Sequence, residues 1–260
     1  MSEKSTADQV WHALLDGQFS WEKDRKRYRV FPAQHRCKNC YAPFDGIGAW
    51  YARLTGRGQF SRNPRFCCFC MEFCHKYPGG AELEISMFFV DVRGSTKIAE
   101  GMKAKEFSSL MNGFYKQATK TLINTNAYID KFVGDEVMGL YFPLFAGKNH
   151  AKAAIQGAEE LLAATQHSKL PIGIGIHTGI AYVGTVGGAD DSLKDVTALG
   201  DNVNITARLA SQAGAGEALI SDYAYSSSGL NLINSEQRQL ELKGKSEPIG
   251  VRVLKLTKAG

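Results

Sequence analysis

At 260 residues, 44% of them hydrophobic, the chain is long enough to bury one full core with a small module beside it. No apolar run approaches the roughly 18 residues of a membrane span, and Met1-Ser2-Glu3-Lys4-Ser5-Thr6 lacks the basic-then-apolar build of a secretory signal, so a cytoplasmic protein without a membrane span is expected. The formal charge of +5 is uneven: residues 1–80 carry 13 Lys and Arg against 7 Asp and Glu, and residues 81–260 carry 18 against 19, which confines any electrostatic attraction for nucleic acid to the N-terminal third.

Residues 7–18 predict a short amphipathic helix, with Val10, Leu14 and Leu15 on one side of Trp11 and His12. The densest basic run, Lys23-Asp24-Arg25-Lys26-Arg27-Tyr28-Arg29, reads as a solvated face, which makes a nucleic-acid partner unlikely on charge alone. All six cysteines fall between positions 37 and 74, and in a chain without a secretory signal such clustering argues for metal or redox chemistry over a disulfide framework. Cys37-Lys38-Asn39-Cys40 and Cys67-Cys68-Phe69-Cys70 are two C-x-x-C pairs 26 residues apart, close to a zinc ribbon. Each pair puts two thiolates on one tight turn, so Cys37, Cys40, Cys67 and Cys70 are the expected ligands of one structural Zn²⁺ per chain. Cys68, Cys74, His35 and His75 are alternative donors, and an iron–sulfur cluster, a thiol switch or unligated buried cysteines are the competing readings. The Gly46–Gly58 segment between the pairs is glycine-punctuated and expected to need a metal for cohesion. Tyr77-Pro78-Gly79-Gly80 marks a boundary, giving a cysteine-rich module over 1–80 and a larger domain over 81–260.

From Leu83 the pattern alternates strand and helix. Leu83 to Val92 predicts a buried strand, and Ala104 to Asn124 a helix whose Phe107, Leu110, Met111, Phe114, Ala118 and Leu122 face a core. Ala127 to Val133 and Val137 to Phe142 flank Gly134-Asp135-Glu136 as a hairpin with Asp135 at its turn. A helix over Lys148–Gln166 follows, then Pro171 to Val186 as strands on either side of Thr178-Gly179, a helix over Gly200–Ala213, and short strands near Glu217–Ser221, Arg238–Leu242 and Ile249–Leu256. The fold class is α/β, an α+β sandwich.

Asp91, in Phe88-Phe89-Val90-Asp91-Val92-Arg93-Gly94-Ser95-Thr96, and Asp135, in Asp130-Lys131-Phe132-Val133-Gly134-Asp135-Glu136, each follow an apolar strand and meet glycine, which aims a carboxylate out of a strand end or turn. Either alone is an ordinary turn residue. With Thr197–Arg208 and Glu241-Leu242-Lys243-Gly244-Lys245 in the same order, they read as a metal–nucleotide site. Divalent ions on a triphosphate are held by hard carboxylates, and two ions about 3.5–4 Å apart clamp the entering and leaving oxygens. Gly94, Ser95 and Thr96, leading into a helix, offer backbone N–H groups to phosphate, although the Walker spacing is absent.

These residues carry a resemblance. From about Glu84 to Leu256 the chain is similar to the class III nucleotidyl cyclases, the adenylyl and guanylyl cyclase family, through Phe89-Val90-Asp91, Lys131–Asp135, Leu199-Gly200-Asp201-Asn202-Val203-Asn204, Arg208 and Lys243-Gly244-Lys245. The resemblance implies a catalytic domain with a ferredoxin-like, palm-type core, in which Asp91 and Asp135 coordinate two Mg²⁺ or Mn²⁺ ions. It places Lys131 and Thr197 at the base, Asn204 and Arg208 at the ribose and the pentavalent phosphate, and Lys243 at the terminal phosphates. Lysine and threonine suit adenine, whereas guanine would favour an acidic residue in the lysine's place, so the expected reaction is adenylate cyclase chemistry, ATP to 3′,5′-cyclic AMP and pyrophosphate. The resemblance also implies a homodimer with two composite sites, the metal aspartates of one subunit facing the base, ribose and phosphate residues of its partner.

The pattern departs from the family at the acidic Gly187–Asp195 stretch and at Val196, where an aromatic is common, and this bears on base selectivity. A cyclase for GTP or a pyrimidine triphosphate and a catalytically silent nucleotide-binding regulatory module are the alternatives. The latter would be marked by loss of a metal aspartate or of Arg208, and none is lost. The GGDEF-type diguanylate cyclases fit less well, since Val133 precedes Gly134.

Overall fold

The computed structural model describes residues 3–18, 21–166, 168, 170–231 and 235–255. In chain order these form helices α1 (Glu3–Leu15), α2 (Trp21–Arg29), α3 (Gly46–Leu54) and α4 (Cys68–Lys76), strand β1 (Gly80–Val92), helices α5 (Ser95–Glu100) and α6 (Ala104–Asn124), and strands β2 (Tyr128–Val133) and β3 (Glu136–Tyr141). Helices α7 (Pro143–Ala146) and α8 (His150–Thr165) precede strands β4 (Ile172–Val186) and β5 (Asp195–Leu199), then α9 (Asp201–Gln212), β6 (Glu217–Ser221), α10 (Asp222–Ser228), β7 (Glu236–Leu240) and β8 (Ile249–Lys255). The chain divides into two compact units: residues up to Leu83 with Pro143–Phe145 and Tyr182–Leu199, and Glu84–Phe142 with Ala146–Ala181 and residues from Gly200 on.

In the second unit the strand order is β2-β3-β1-β4-β6-β8-β7. Residue alternation sends successive side chains to opposite faces of this sheet. Ile174, Ile176, Ala218 and Ile220 join Phe88, Val90 and the apolar stripes of α6 and α8, including Met111, Phe114, Leu122, Ile155 and Leu161, in one core. Leu219, Val251 and Val253 instead pack with Ile205 and Leu209 of α9. Both faces of the sheet are thus covered by helices, the α/β sandwich that the strand–helix alternation predicts. On the α9 face β4 carries glycine: a Cβ at Gly175 would lie 2.3 Å from the Ala210 nitrogen.

In the first unit the core is aromatic. Trp11 donates its indole N–H to the Tyr77 carbonyl at 2.8 Å, and the Trp11 and Trp21 rings meet Phe73 edge-on at 5.3 and 5.2 Å. The run 23–29, expected as a solvated face, is helix α2: its Tyr28 and Arg25 are buried, with the Arg25 guanidinium 4.1 Å from the Phe145 ring centre. A cation over an aromatic face can be withdrawn from water in a way that charge counting along the sequence does not register. The glycine-punctuated segment between the cysteine pairs likewise contains a helix, α3, which buries Ala49 and Ala52.

Three further elements differ from expectation. The first helix, expected over 7–18, runs from Glu3 to Leu15, and β1, expected from Leu83, begins at Gly80. Pro171 to Val186 is not two strands about Thr178-Gly179 but one, β4, starting at Ile172. A Cβ at Gly179 would lie 2.6 Å from the Asn202 amide nitrogen, so the glycine marks close approach of α9 and not a chain break. The expected end of the last strand at Leu256 lies outside the described residues.

Candidate active site and cysteine centre

β1 and β3 pair antiparallel with Asp91 opposite Glu136, and β2 returns to β3 through the two-residue turn Gly134-Asp135. Gly134 has φ +61°, at the first central position, where such turns take glycine. The Val92 N–H donates to the Asp135 carbonyl at 3.3 Å, fixing the turn beside the end of β1. The two carboxylates that sequence reasoning singled out, 44 positions apart, therefore meet: the Asp91 and Asp135 side chains are within hydrogen-bonding reach of each other.

Their electrostatics are those of a site short of positive charge. Burial, and then Asp135, push the Asp91 carboxyl up to about 6, while the ion-paired Arg93 guanidinium opposes the shift. Glu136 is pushed up to about 7, again by burial first and then by Asp91 and Asp135. The one Arg93 guanidinium opposes the rise at both Asp91 and Glu136, and it is itself tied to the Ser211 carbonyl at 2.6 Å. Hard oxygen donors with unmet negative charge are the donor set that Mg²⁺ or Mn²⁺ takes. Arg93 and Glu136 were not singled out from sequence, although the hairpin register alone sets Glu136 opposite Asp91.

Gly94 adopts a left-handed conformation, φ +68°, ahead of α5, and the first turn of that helix holds Ser95 and Thr96 without a side-chain cap. Lys131 follows a β-bulge: Ile129 opposes Gly139 and Lys131 opposes Met138, leaving Asp130 as the extra, buried residue. Bulges re-aim side chains, and the Lys131 ammonium here is half exposed, 3.5 Å from the Asp130 carboxylate.

Asn204 and Arg208 lie four residues apart on α9, hence on one face. Arg208 points at the 241–248 loop, where a side chain built on Gly244 would begin 3.6 Å from its Nη2. The same loop is fastened to α9 by a Lys245–Asp201 ion pair and by Gln212 Nε2 donating to the Glu241 carbonyl at 3.1 Å. An open depression of about 520 Å³ is lined by this loop, including Lys243, Lys245 and Ser246. Arg208 and the Lys243-Gly244-Lys245 turn thus come together as a basic surface, to which Lys245 is an addition. Thr197, buried in β5 opposite Gly184 of β4, belongs to the first unit.

The other constellation is sulfur. The Sγ atoms of Cys37, Cys40, Cys67 and Cys70 all lie within 4.8 Å of one another, every one buried. None of the six cysteines is in a disulfide. Cys40 and Cys67 Sγ are 3.6 Å apart, close to the roughly 3.8 Å edge of a tetrahedron with 2.3 Å metal–sulfur bonds. The backbone N–H of Cys67 donates to Cys37 Sγ at 3.3 Å and that of Cys70 to Cys67 Sγ at 3.4 Å, which orients both sulfurs. Burial and the surrounding sulfurs push the Cys70 thiol well up, a cost that a bound cation would remove. Of the alternative donors, Cys68 and His75 are exposed, His35 is exposed and engaged by Asp45 at 2.8 Å, and Cys74 is buried outside the group of four, its thiol pushed up to about 12 by burial.

Residues 80–254 match the family described as the Adenylate and Guanylate cyclase catalytic domain. An adenylate cyclase of Anabaena cylindrica is 30% identical over 188 residues, covering 66% of this chain, and the chain spans 36% of that relative's length. Among solved structures, the adenylyl cyclase CyaB from P. aeruginosa superposes with a TM-score of 0.58 at 31% identity, covering 68% of this chain and 96% of that one. The guanylyl cyclase Cya2 superposes with a TM-score of 0.62 at 25% identity, covering 70% and 96%. Among the described residues no helix is long and apolar enough to cross a membrane.

Proposed function

Because the chain belongs to the adenylate and guanylate cyclase catalytic domain family, we propose that it is an adenylyl cyclase converting ATP to 3′,5′-cyclic AMP and pyrophosphate. The observation that carries this reading is the meeting of Asp91 and Asp135 at the end of β1 with too little positive charge around them. These carboxylates hold two Mg²⁺ or Mn²⁺ ions, which when bound screen the triphosphate and acidify the ribose 3′-hydroxyl. The Asp135 turn is held by the Val92 N–H and the Asp91 carboxylate by Arg93, so both donors are oriented before substrate arrives.

The reaction forms a bond from the 3′-oxygen to the α-phosphorus and breaks the bond from that phosphorus to the bridging oxygen of pyrophosphate, with the hydroxyl proton released to water. Nucleophile and electrophile belong to one molecule, so orientation and charge stabilisation are what the protein must supply. Asn204 orients the ribose, and Arg208 stabilises the pentavalent phosphate. Lys243, with Lys245 beside it, takes the departing phosphates, and the N–H groups of Gly94, Ser95 and Thr96 add donors to phosphate oxygens. Lys131 donates to an adenine ring nitrogen, and Thr197 accepts from the exocyclic amine. Two copies under two-fold symmetry complete two sites, each drawing its metal aspartates from one chain and its remaining residues from the other. Cys37, Cys40, Cys67 and Cys70 hold one structural Zn²⁺ per chain.

The test is purified protein with Mn²⁺ and an equal mixture of the four nucleoside triphosphates. Cyclic AMP and pyrophosphate should form in equal amounts, Asp91→Ala and Asp135→Ala should each cost at least about a thousandfold in kcat, and metal analysis should find one zinc. Preferential cyclisation of GTP, UTP or CTP would overturn the adenine assignment, and undiminished turnover in the aspartate variants would overturn the metal site.

A further inference from the structure

The first Cys-x-x-Cys turn reaches beyond its sulfurs. Lys38, between Cys37 and Cys40, extends its ammonium to the start of β5, donating to Asp195 Oδ1 at 2.7 Å and to the Val196 carbonyl at 3.1 Å. The Lys38 and Asp195 side chains are only 11% and 16% exposed, so the pair is largely withdrawn from screening water. From the loop entering the second cysteine pair, Arg65 donates to Asp195 Oδ2 at 2.9 Å and Asn63 Nδ2 donates to the Lys194 carbonyl at 2.8 Å. The two loops are themselves joined, the Lys38 N–H donating to the Arg65 carbonyl at 2.8 Å. Asp195 Oδ1 also accepts the Val196 N–H at 2.8 Å, so one carboxylate gathers a lysine, an arginine and its own strand.

Three consecutive residues, 194 to 196, are thereby held by three side chains from the cysteine loops, and the next residue is Thr197. β5 is five residues long and, among the described residues, pairs only with β4. A short strand with a single ladder depends on side-chain contacts to hold its position. We propose that Lys38, Asn63 and Arg65 are positioning residues, a clamp through which the cysteine centre holds the strand carrying Thr197, so that closure of the four-sulfur site sets the affinity for nucleotide. This rests on the reading that Thr197 contacts the base. Opening the sulfur site separates the two turns that present the clamp, which makes metal loading and substrate affinity linked properties of this chain.

Lys38→Met keeps the aliphatic stem and removes the charge. Hydrogen exchange of the Val196–Ala198 amides should quicken about tenfold, the loss expected of a shielded charge-assisted hydrogen bond, while zinc content stays unchanged. KM for ATP should rise about tenfold with kcat within about twofold, a split that a merely structural role would not produce. Wild-type protein treated with a chelator should show faster exchange at the same amides. Asn63→Ala, which leaves the ion pair in place, should show the same pattern more weakly and serves if Lys38→Met does not fold. Unchanged exchange at these amides, or an unchanged KM, overturns the clamp. Thr197→Val with an unaltered ATP to GTP preference, beside a raised KM in Lys38→Met, would count against the base-reading role and leave the clamp standing.

Discussion

Asp91 and Glu217 show how one functional group, the carboxyl, is shifted in opposite directions within a single chain. Glu217 receives both Arg238 Nη atoms at 3.0 Å, Lys255 at 2.8 Å and the Gly214 N–H at 2.9 Å, and its carboxyl is pulled down to about 2, chiefly by Arg238. Asp91 has Arg93 but also Asp135, and burial carries it up to about 6. The fold supplies the full counter-charge in the first case and only part of it in the second, and a carboxylate perturbed in that way is a candidate functional group. For Glu217 the folded value lies below the unfolded one of about 4.5, so its stabilisation is complete above that pH and disappears as the pH falls toward about 2. Glu217→Gln should therefore lose about 1–2 kcal/mol at pH 7, discounted for the exposed partners, and should show a flatter fall in Tm than wild type between those two pH values. Parallel Tm curves would show that the cluster contributes nothing.

At the scale of elements, what could be read in the chain was periodicity and punctuation. The Phe107-to-Leu122 stripe predicts α6 with its observed bounds, Ala104–Asn124, because one apolar face at 3.6-residue spacing admits no other partner than a core. Asp91 and Asp135 were legible because a strand end and a glycine turn each aim a carboxylate, and their meeting followed from the hairpin register. What was hidden was tertiary: Arg25 of α2 buried against an aromatic ring, the Arg93 and Glu136 companions of Asp91 and Asp135, and the glycines of β4, which mimic turns in sequence and serve close packing in space. Gly179 shows the last most directly. The Asn202 amide that a methyl there would strike accepts the His177 Nε2 hydrogen through Oδ1 at 3.0 Å and gives its N–H to the Ile180 carbonyl at 2.8 Å, tying α9 to β4 two residues ahead of Asn204. Gly179→Ala should cost about 1–3 kcal/mol. In an Asn202→Ala background the same change should cost little, because the clash is gone, and a cycle of denaturant melts measures the difference. Equal costs in both backgrounds would place the strain elsewhere.

At the scale of the whole molecule, the proposed two-fold arrangement makes a quantitative demand. If the metal aspartates of one chain serve the Arg208 of its partner, then Asp91→Ala and Arg208→Ala are each inactive as homodimers, for different reasons. Mixed under exchange conditions, they form heterodimers in which one composite site carries both lesions and the other carries neither. Random pairing makes half the dimers mixed, each with one of two sites intact, so activity should recover to about a quarter of wild type. A chain that built its entire site alone would instead give the average of two inactive proteins, essentially none. Cyclic AMP formation in the mixture, with mixed dimers quantified by a mass tag on one variant, separates the outcomes: recovery must follow the measured fraction of mixed dimers. Abundant mixed dimers with no turnover would sink the composite site while leaving the Asp91–Asp135 metal pair to be judged on its own variants.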